Sequence, residues 1–355
     1  MNVFCYLVEP ASYSIDLVKN IYNKKGIDFC FIKSSSLAKS SEIIKSVCLD
    51  KLSILAKLKF IYQKHKESKL IVINGYNNFP FFLSFLLNFF TKNKKYIAIE
   101  SDSQKTKNMF FLKHLLKRLT LGFIFKNKFV LGFAGGTHTH MQYFEYYGMR
   151  KENIFLMPLV IDNLKFHQKS PRKKNNFIFL YVGRIVPQKN VESLIIEFNK
   201  YFSKTQAILN IVGNGSELSS LKKKYNFRNI NFFGSMFGDD LIAKYREASC
   251  FVLPSNFEPW GLVVNEALSS GLPVIISNRV GSGYDLVKDK NNGFIYSEIN
   301  ELGINMMNFF NDEDLLNKYS KNASNFMLNK WNYDFYNKCF NDAVNQIDNF
   351  NEGQN

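Results

Sequence analysis

Short runs of consecutive apolar residues alternate with longer amphipathic stretches along most of the chain. That alternation predicts parallel, doubly wound α/β sheets. In the first half, Val3–Val8 reads as an opening strand, followed by a helix over Ser14–Lys25, a turn at Gly26 and a strand over Ile27–Ile32. Leu70–Asn74, Tyr96–Ile99 and Phe129–Ala134 continue the series. In the second half Phe177–Val182, Ala207–Val212, Asn231–Phe233, Cys250–Leu253 and Pro273–Ile276 have strand character, and a helix is expected over Asp239–Ala248. Three helices, Glu301–Phe310, Asp312–Phe326 and Tyr333–Phe350, close the chain. Open α/β sheets bind ligands outside the carboxyl ends of their strands. The first residues to consider for chemistry are therefore the ones delivered there: Asn74, Gly75, Glu100, Ser101, Asp102 and the GGTHTH run after Ala134.

One such strand end is richer than the rest. Cys250–Leu253 runs into PSNFEPWGLVVNEALSSGL (Pro254–Leu272), where Glu258 and Glu266 flank a Pro259-Trp260-Gly261 turn and apolar residues recur at helical spacing. Glu258 is expected in the turn and Glu266 about two turns into the helix. Unpaired backbone NH groups at Gly261 and Leu262 would favour an anion at the helix start. Two exposed glutamates on a surface helix are the plain alternative for that spacing alone.

The order of the neighbouring motifs decides between them. This E-x7-E stretch resembles the donor-site motif of retaining glycosyltransferase family 4. Before it, Gly183-Arg184 to Lys189-Asn190 resembles the family's G-R-x4-K-G segment, with Asn190 at the usual glycine, and Gly213-Asn214-Gly215 resembles its G-x-G loop. Gly234 resembles the F-x-G position near the base, Gly281–Val287 the G-x-x-E/D-L-V loop, and Asn292–Ile295 an N-G-x-L-like turn. The matches follow one another from Gly183 to Ile295, whereas before Pro158 the likeness is thin. Pro158–Asp162 resembles the P-x-G-V-D segment that closes the first domain, with Leu159 and Val160 at the small positions. The loop after the first strand, Glu9–Tyr13, lacks the family's glycines.

The resemblance implies the α/β GT-B fold: two Rossmann-like domains with parallel sheets facing across a cleft, and a C-terminal helix crossing back to the first. Residues 1–165 would form the acceptor-binding domain, 166–176 a linker (ending in QKSPRKKNN, Gln168–Asn176), 177–330 the donor-binding domain and 331–355 the returning helix. Arg184 and Lys189 would clamp the diphosphate of a nucleotide sugar, and Glu258 would bind its sugar hydroxyls, forming the catalytic set. Gly183, Gly213, Asn214, Gly234, Pro259, Trp260, Gly261, Leu262 and Glu266 would hold the rest of the donor, with Glu266 on the ribose. In the first domain Glu100 or Asp102 would stand where the family often has a histidine near the sugar, and His138 or His140 would meet acceptor or sugar. Helix capping by the two acids, and ordinary loop histidines, are the alternatives.

Composition adds the partners. The chain has 355 residues and a formal charge of +16, very unevenly shared: 25 Lys and Arg against 11 Asp and Glu up to Lys165, then 21 against 19. A first half so basic faces something anionic. Lys105–Lys128 mixes Phe and Leu with seven basic residues, so it reads either as an interfacial helix or as a core helix with a solvated face. Phe79–Phe90 is apolar over 12 residues, short of a membrane span. Five scattered cysteines fit a reducing compartment, and no His/Cys cluster suggests a metal.

The expectation is therefore a retaining hexosyltransferase without metal or other cofactor. It would move a sugar from a nucleotide donor to a saccharide or lipid-linked saccharide in surface polysaccharide synthesis. It would be cytoplasmic or peripheral on the inner membrane face, meeting an anionic membrane through its basic domain and binding no nucleic acid. A GT-B epimerase or hydrolase, or a non-catalytic basic binder, is the alternative.

Overall fold

The computed structural model describes residues 2–34, 46–105, 111–168 and 176–352. They form two compact units, Met1–Val160 with Tyr333–Asn355, and Ile161–Asn332. The expected linker at 166–176 falls largely outside the described residues. The short helix Asn163–Phe166 before it belongs to the second unit.

The first unit is built on a six-stranded parallel sheet: β1 (Val3–Leu7), β2 (Asp28–Phe31), β3 (Leu70–Asn74), β4 (Tyr96–Ser101), β5 (Val130–Ala134) and β6 (Ile154–Leu156), in the order β2-β1-β3-β4-β5-β6. Alternate side chains of the strands, among them Phe4, Tyr6, Ile71, Ile73, Ile97 and Ile99, pack with Ile61, Phe81, Phe125 and Phe144 in one buried cluster. Those four come from the helices Ile54–Glu67, Phe79–Phe90, Phe111–Phe125 and Thr139–Tyr146, which thus share a face of the sheet. The helical run Ser12–Lys25 ends where Gly26 turns left-handed at φ 64°. Its Tyr22 meets Tyr336 of the last helix, Tyr333–Glu352, while Lys25 donates to Asn341 at 2.7 Å. The last helix thus belongs with the first sheet, as a GT-B chain requires.

The second unit has its own parallel sheet: β7 (Ile178–Val182), β8 (Ile208–Val212), β9 (Ile230–Gly234), β10 (Cys250–Leu253), β11 (Val274–Ser277) and β12 (Gly293–Tyr296). The order β12-β11-β10-β7-β8-β9 makes β7 and β10 neighbours although seventy residues separate them in the chain. This is the 3-2-1-4-5-6 Rossmann order, and the crevice between β7 and β10 is its switch point, where such sheets bind ligands.

Several expectations need correction. The Asn292–Ile295 segment is not simply a turn, because Gly293–Tyr296 adds to β11 as an edge strand. Strand β6 and the helices Ile54–Glu67, Val191–Phe202 and Leu218–Lys224 add to the elements that the sequence pattern marks. Within the basic stretch Lys105–Lys128, a helix covers Phe111–Phe125, and residues 106–110 lie outside the described ones.

Candidate active site

The loops that follow β7, β8 and β10 lock together at the switch point of the second unit. Gly183 NH donates to the Val212 carbonyl at 3.0 Å, Ile185 NH to Asn214 at 2.9 Å and Gly213 NH to Gly234 at 2.7 Å. A Cβ on Gly213 would land on the Gly183 carbonyl, and one on Gly215 on the Ile185 carbonyl. These two glycines are required where one loop passes the other, a steric demand that stands beside the expectation that they let backbone approach a nucleotide. Asn214 is exposed, its side chain accepting from Gly215 NH at 2.8 Å. Gly234 has a φ of 72° and open space where a side chain would be.

After Gly183 the chain exposes Arg184, whose carbonyl accepts from the buried Tyr181 hydroxyl at 2.7 Å. Pro187 then opens a short 3-10 turn, and Asn190 closes it in the left-handed region at φ 54°, which Asn tolerates. The turn buries Lys189 and aims its ammonium at the Glu258 carboxylate, with which it forms an ion pair. Backbone bonds reinforce that meeting: Asn256 NH donates to Gln188 at 2.9 Å, and the Gln188 side chain to Phe257 at 3.1 Å. Two expected catalytic residues, 69 positions apart, are thus in contact, while Arg184 in the same loop is exposed.

Glu258 is also gripped by its backbone, donating to Arg279 at 3.1 Å and accepting from Gly281 at 2.9 Å. The chain then turns through Pro259 and Trp260 to Gly261, left-handed at φ 88°, and the helix Leu262–Ser269 begins. Glu266 is its fifth residue, little more than one turn in and not two, because the helix starts after Gly261. Its carboxylate accepts from Tyr245 at 2.7 Å. Burial pushes the Glu266 carboxyl up to about 7, the tyrosine bond opposing this in part. Trp260 departs from its expected place: its ring is buried, stacked on Trp331 at 5.7 Å, and its indole NH donates to Asn265 at 2.9 Å. Any direct donor contact at this position falls to its backbone. Nothing local in the sequence marks Tyr245 or Trp331 as part of this assembly.

In the first unit Glu100 sits opposite Asn74 in the β3–β4 register and accepts from its side-chain amide. The bond goes across the carboxyl edge of the sheet and not to a helix start. Burial raises the Glu100 carboxyl to about 7, the amide lowers it in part, and Asp102 adds to the rise. Asp102 itself is exposed. His138 is exposed at the start of the helix Thr139–Tyr146, its ring 3.3 Å from the Gln142 side chain. His140 is buried in that helix, behind Gly135.

Two six-stranded parallel-sheet units, the second in Rossmann order and the first carrying the last helix, are the features of the GT-B class of proteins. Residues 162–326, a little under half of the chain, match the family model for glycosyl transferases group 1. A galactosyltransferase of Escherichia coli, UDP-Gal:alpha-D-GlcNAc-diphosphoundecaprenol alpha-1,3-galactosyltransferase, is 36% identical over 171 residues, which are 45% of this chain and 43% of that protein. The capsular polysaccharide biosynthesis glycosyltransferase CapM of Staphylococcus aureus is 29% identical over 62% of this chain and 55% of its own. The chain thus matches about half the length of these curated relatives. Among solved structures, HepE of Anabaena in complex with UDP and glucose superposes with a TM-score of 0.76 at 17% identity, over 97% of this chain and 100% of that one. WaaG, a glycosyltransferase involved in lipopolysaccharide biosynthesis, does so with a TM-score of 0.67 at 16% identity, over 96% and 98%. These structural likenesses establish the fold.

Proposed function

We propose that the chain is a retaining glycosyltransferase that needs no metal. It moves a sugar from a nucleoside-diphosphate donor to a saccharide or lipid-linked saccharide acceptor in surface polysaccharide synthesis. The observation that carries this is the buried Lys189–Glu258 pair at the switch point, with Glu266 one helical turn beyond it. Leaving diphosphate gathers negative charge as the glycosidic bond breaks, and preorganised cations and NH groups stabilise that charge. Arg184 and Lys189 supply the cations, and the first turn of Leu262–Ser269 supplies NH groups. Glu266 accepts the ribose hydroxyls and Glu258 a hydroxyl of the sugar. The acceptor oxygen bonds to the anomeric carbon on the face the diphosphate leaves. The bonding pair departs on the phosphate oxygen, which takes the acceptor's proton. The relatives named above, a diphosphoundecaprenol-directed galactosyltransferase and a capsule enzyme, support the acceptor class.

The first unit supports an anionic membrane as partner. Phe79, Phe82, Leu86, Phe89 and Phe90 of one helix are exposed, as are Leu112, Leu115, Leu116, Leu119 and Phe123 of the next. The two helices meet through Phe85 and Phe123 at 6.2 Å, so the stripes are adjacent. Phe90 is 80% exposed. Residues 51–128 hold 16 Lys and Arg against three acids. An apolar face ringed by cations fits an anionic lipid surface, which takes both the rings and the charges. No helix among the described residues is long and apolar enough to cross a membrane. Contact from the cytoplasmic side is therefore proposed as peripheral.

The test is a thermal-shift panel of nucleoside diphosphates and nucleotide sugars with and without EDTA. A true donor at ~100 times its dissociation constant adds about 2.7 kcal/mol to the folded state. Stabilisation by one nucleotide sugar that survives EDTA, followed by transfer to a lipid-linked saccharide with retained configuration, is the expected result. If no nucleotide sugar stabilises the protein, the reading fails.

A further inference from the structure

The chain passes between its two units twice, at Val160/Ile161 and at Asn332/Tyr333. Within the second unit, the residues next to both crossings are fastened to the helix that carries Glu266. Asn163, three residues after the first crossing, is buried and uses its whole side-chain amide: its NH2 donates to Met327 at 2.7 Å and Trp331 at 2.9 Å, and its oxygen accepts from Ser269 at 2.9 Å. Ser269 is the last residue of the Leu262–Ser269 helix. Trp331, two residues before the second crossing, stacks on Trp260 with an angle of 20° between the rings. Trp260 is tied to the same helix through Asn265, and its carbonyl accepts from Ser282 NH at 3.2 Å. A chain of direct contacts therefore runs from both crossings to the turn between Glu258 and Gly261.

We infer that Asn163 and Trp331 are positioning residues for the donor: they hold the Glu258–Glu266 turn in register through Trp260 and Ser269, without touching the donor. The inference rests on the donor reading given above. A buried amide bonded through both its nitrogen and its oxygen, and a stacked aromatic pair whose Trp260 immediately precedes the left-handed Gly261, leave that turn few alternative positions. In this arrangement the crossings and the donor turn move as one piece. The register of the donor seat is then set partly by residues outside the loops that the family motif covers.

The test uses the full chain and its two tryptophans, which are Trp260 and Trp331, so intrinsic fluorescence and the ultraviolet dichroism of a stacked indole pair report on this contact directly. Trp331→Ala, Trp331→Phe and Asn163→Ala are compared with the wild type for amide exchange at residues 258–266, for binding of UDP, GDP and ADP, and for KM and kcat with the donor they identify. Exchange at 261–264 should rise about tenfold in Trp331→Ala, while exchange in β8 stays unchanged. Nucleoside diphosphate affinity should fall about tenfold, with donor KM rising by a similar factor and kcat changing less. Trp331→Phe, which keeps a ring, should recover most of the loss. Unchanged exchange at 258–266 in both alanine variants overturns the inference. Altered exchange in a protein that binds no nucleoside diphosphate leaves the coupling standing and sinks the donor reading instead.

Discussion

The two units are both six-stranded parallel sheets, yet they bring their strand ends together differently. In the second, the 3-2-1-4-5-6 order sets β7 beside β10; the loops after them close on each other through a buried ion pair and two hydrogen bonds at Gln188, while the loop after β8 packs on the β7 loop through glycines with no room for a side chain. In the first, the order β2-β1-β3-β4-β5-β6 puts the switch between β1 and β3, and the polar contact at that edge is the Asn74–Glu100 bond. The second unit thus binds chemistry tightly in short motifs. The first spends its distinctive residues on an exposed apolar and basic face instead. Motif likeness follows the first pattern, which is why it is dense after Gly183 and thin before Pro158.

The comparison breaks most decisively at the ion pair. Lys189→Ala or Glu258→Ala should each lower turnover about 100-fold or more, since in the proposed function each removes a group that acts on the donor. Each also strands a buried charge, at a stability cost of roughly 3 kcal/mol. The double variant should be more stable than either single one in denaturant titration, because no orphan charge is left. Equal additive losses would show that the two residues act separately.

Close loop passage gives the next largest effect. Gly213→Ala should lower stability by about 3 kcal/mol, the upper range for forcing atoms into a packed site, whereas Gly234→Ala should cost only about 1 kcal/mol of backbone strain. Melting temperatures of the pair measure the difference. Identical values would mean that the loops separate easily.

The first unit is sharpened by its surface. Phe89→Ser with Leu119→Ser should reduce binding to vesicles containing anionic phospholipid about tenfold, and raising salt should weaken the wild type further. Turnover on a water-soluble acceptor should stay within about twofold. Sedimentation of vesicles with the protein measures the first, and loss of a dimer in place of lipid binding would identify a second copy as the partner.

The smallest effect is one of pH. Glu266 holds its proton up to about 7 in the fold, against an ordinary value of 4.5, so protonation favours the folded state. That contribution is fully present below 4.5 and lost as pH rises through 7. In the proposed function donor binding runs the other way, because the ribose hydroxyls are held by the carboxylate. Affinity should rise about eightfold from pH 6 to 7.5, and Glu266→Gln should flatten the profile. A wild-type profile already flat over that range would remove Glu266 from the ribose.

Strand-level reading succeeded where an apolar run is buried on both faces: β3 and β10 have the bounds that the sequence suggested. It failed at the edges. Strand β6 has three residues, and β12 starts at the glycine of an Asn-Gly pair, which locally signals a turn. The helix Ile54–Glu67 escaped because Ile54, Leu55, Leu58 and Tyr62 on its outer side are apolar and exposed, which blurs the helical period. Helical spacing alone sets Glu266 about half a turn too deep, because it counts from Trp260, before the left-handed Gly261 that starts the helix.

By itself the sequence determined the alternation of strands and helices, the doubly wound class and the order of the donor-side motifs, since all three are carried by local period and composition. The tertiary structure alone decided that Lys189 meets Glu258, that Gly213 lies against the Gly183 carbonyl, and that Trp260 belongs to the core with Trp331. Each joins residues from separate strands and loops of the chain. Their meeting depends on sheet order, which no local pattern encodes.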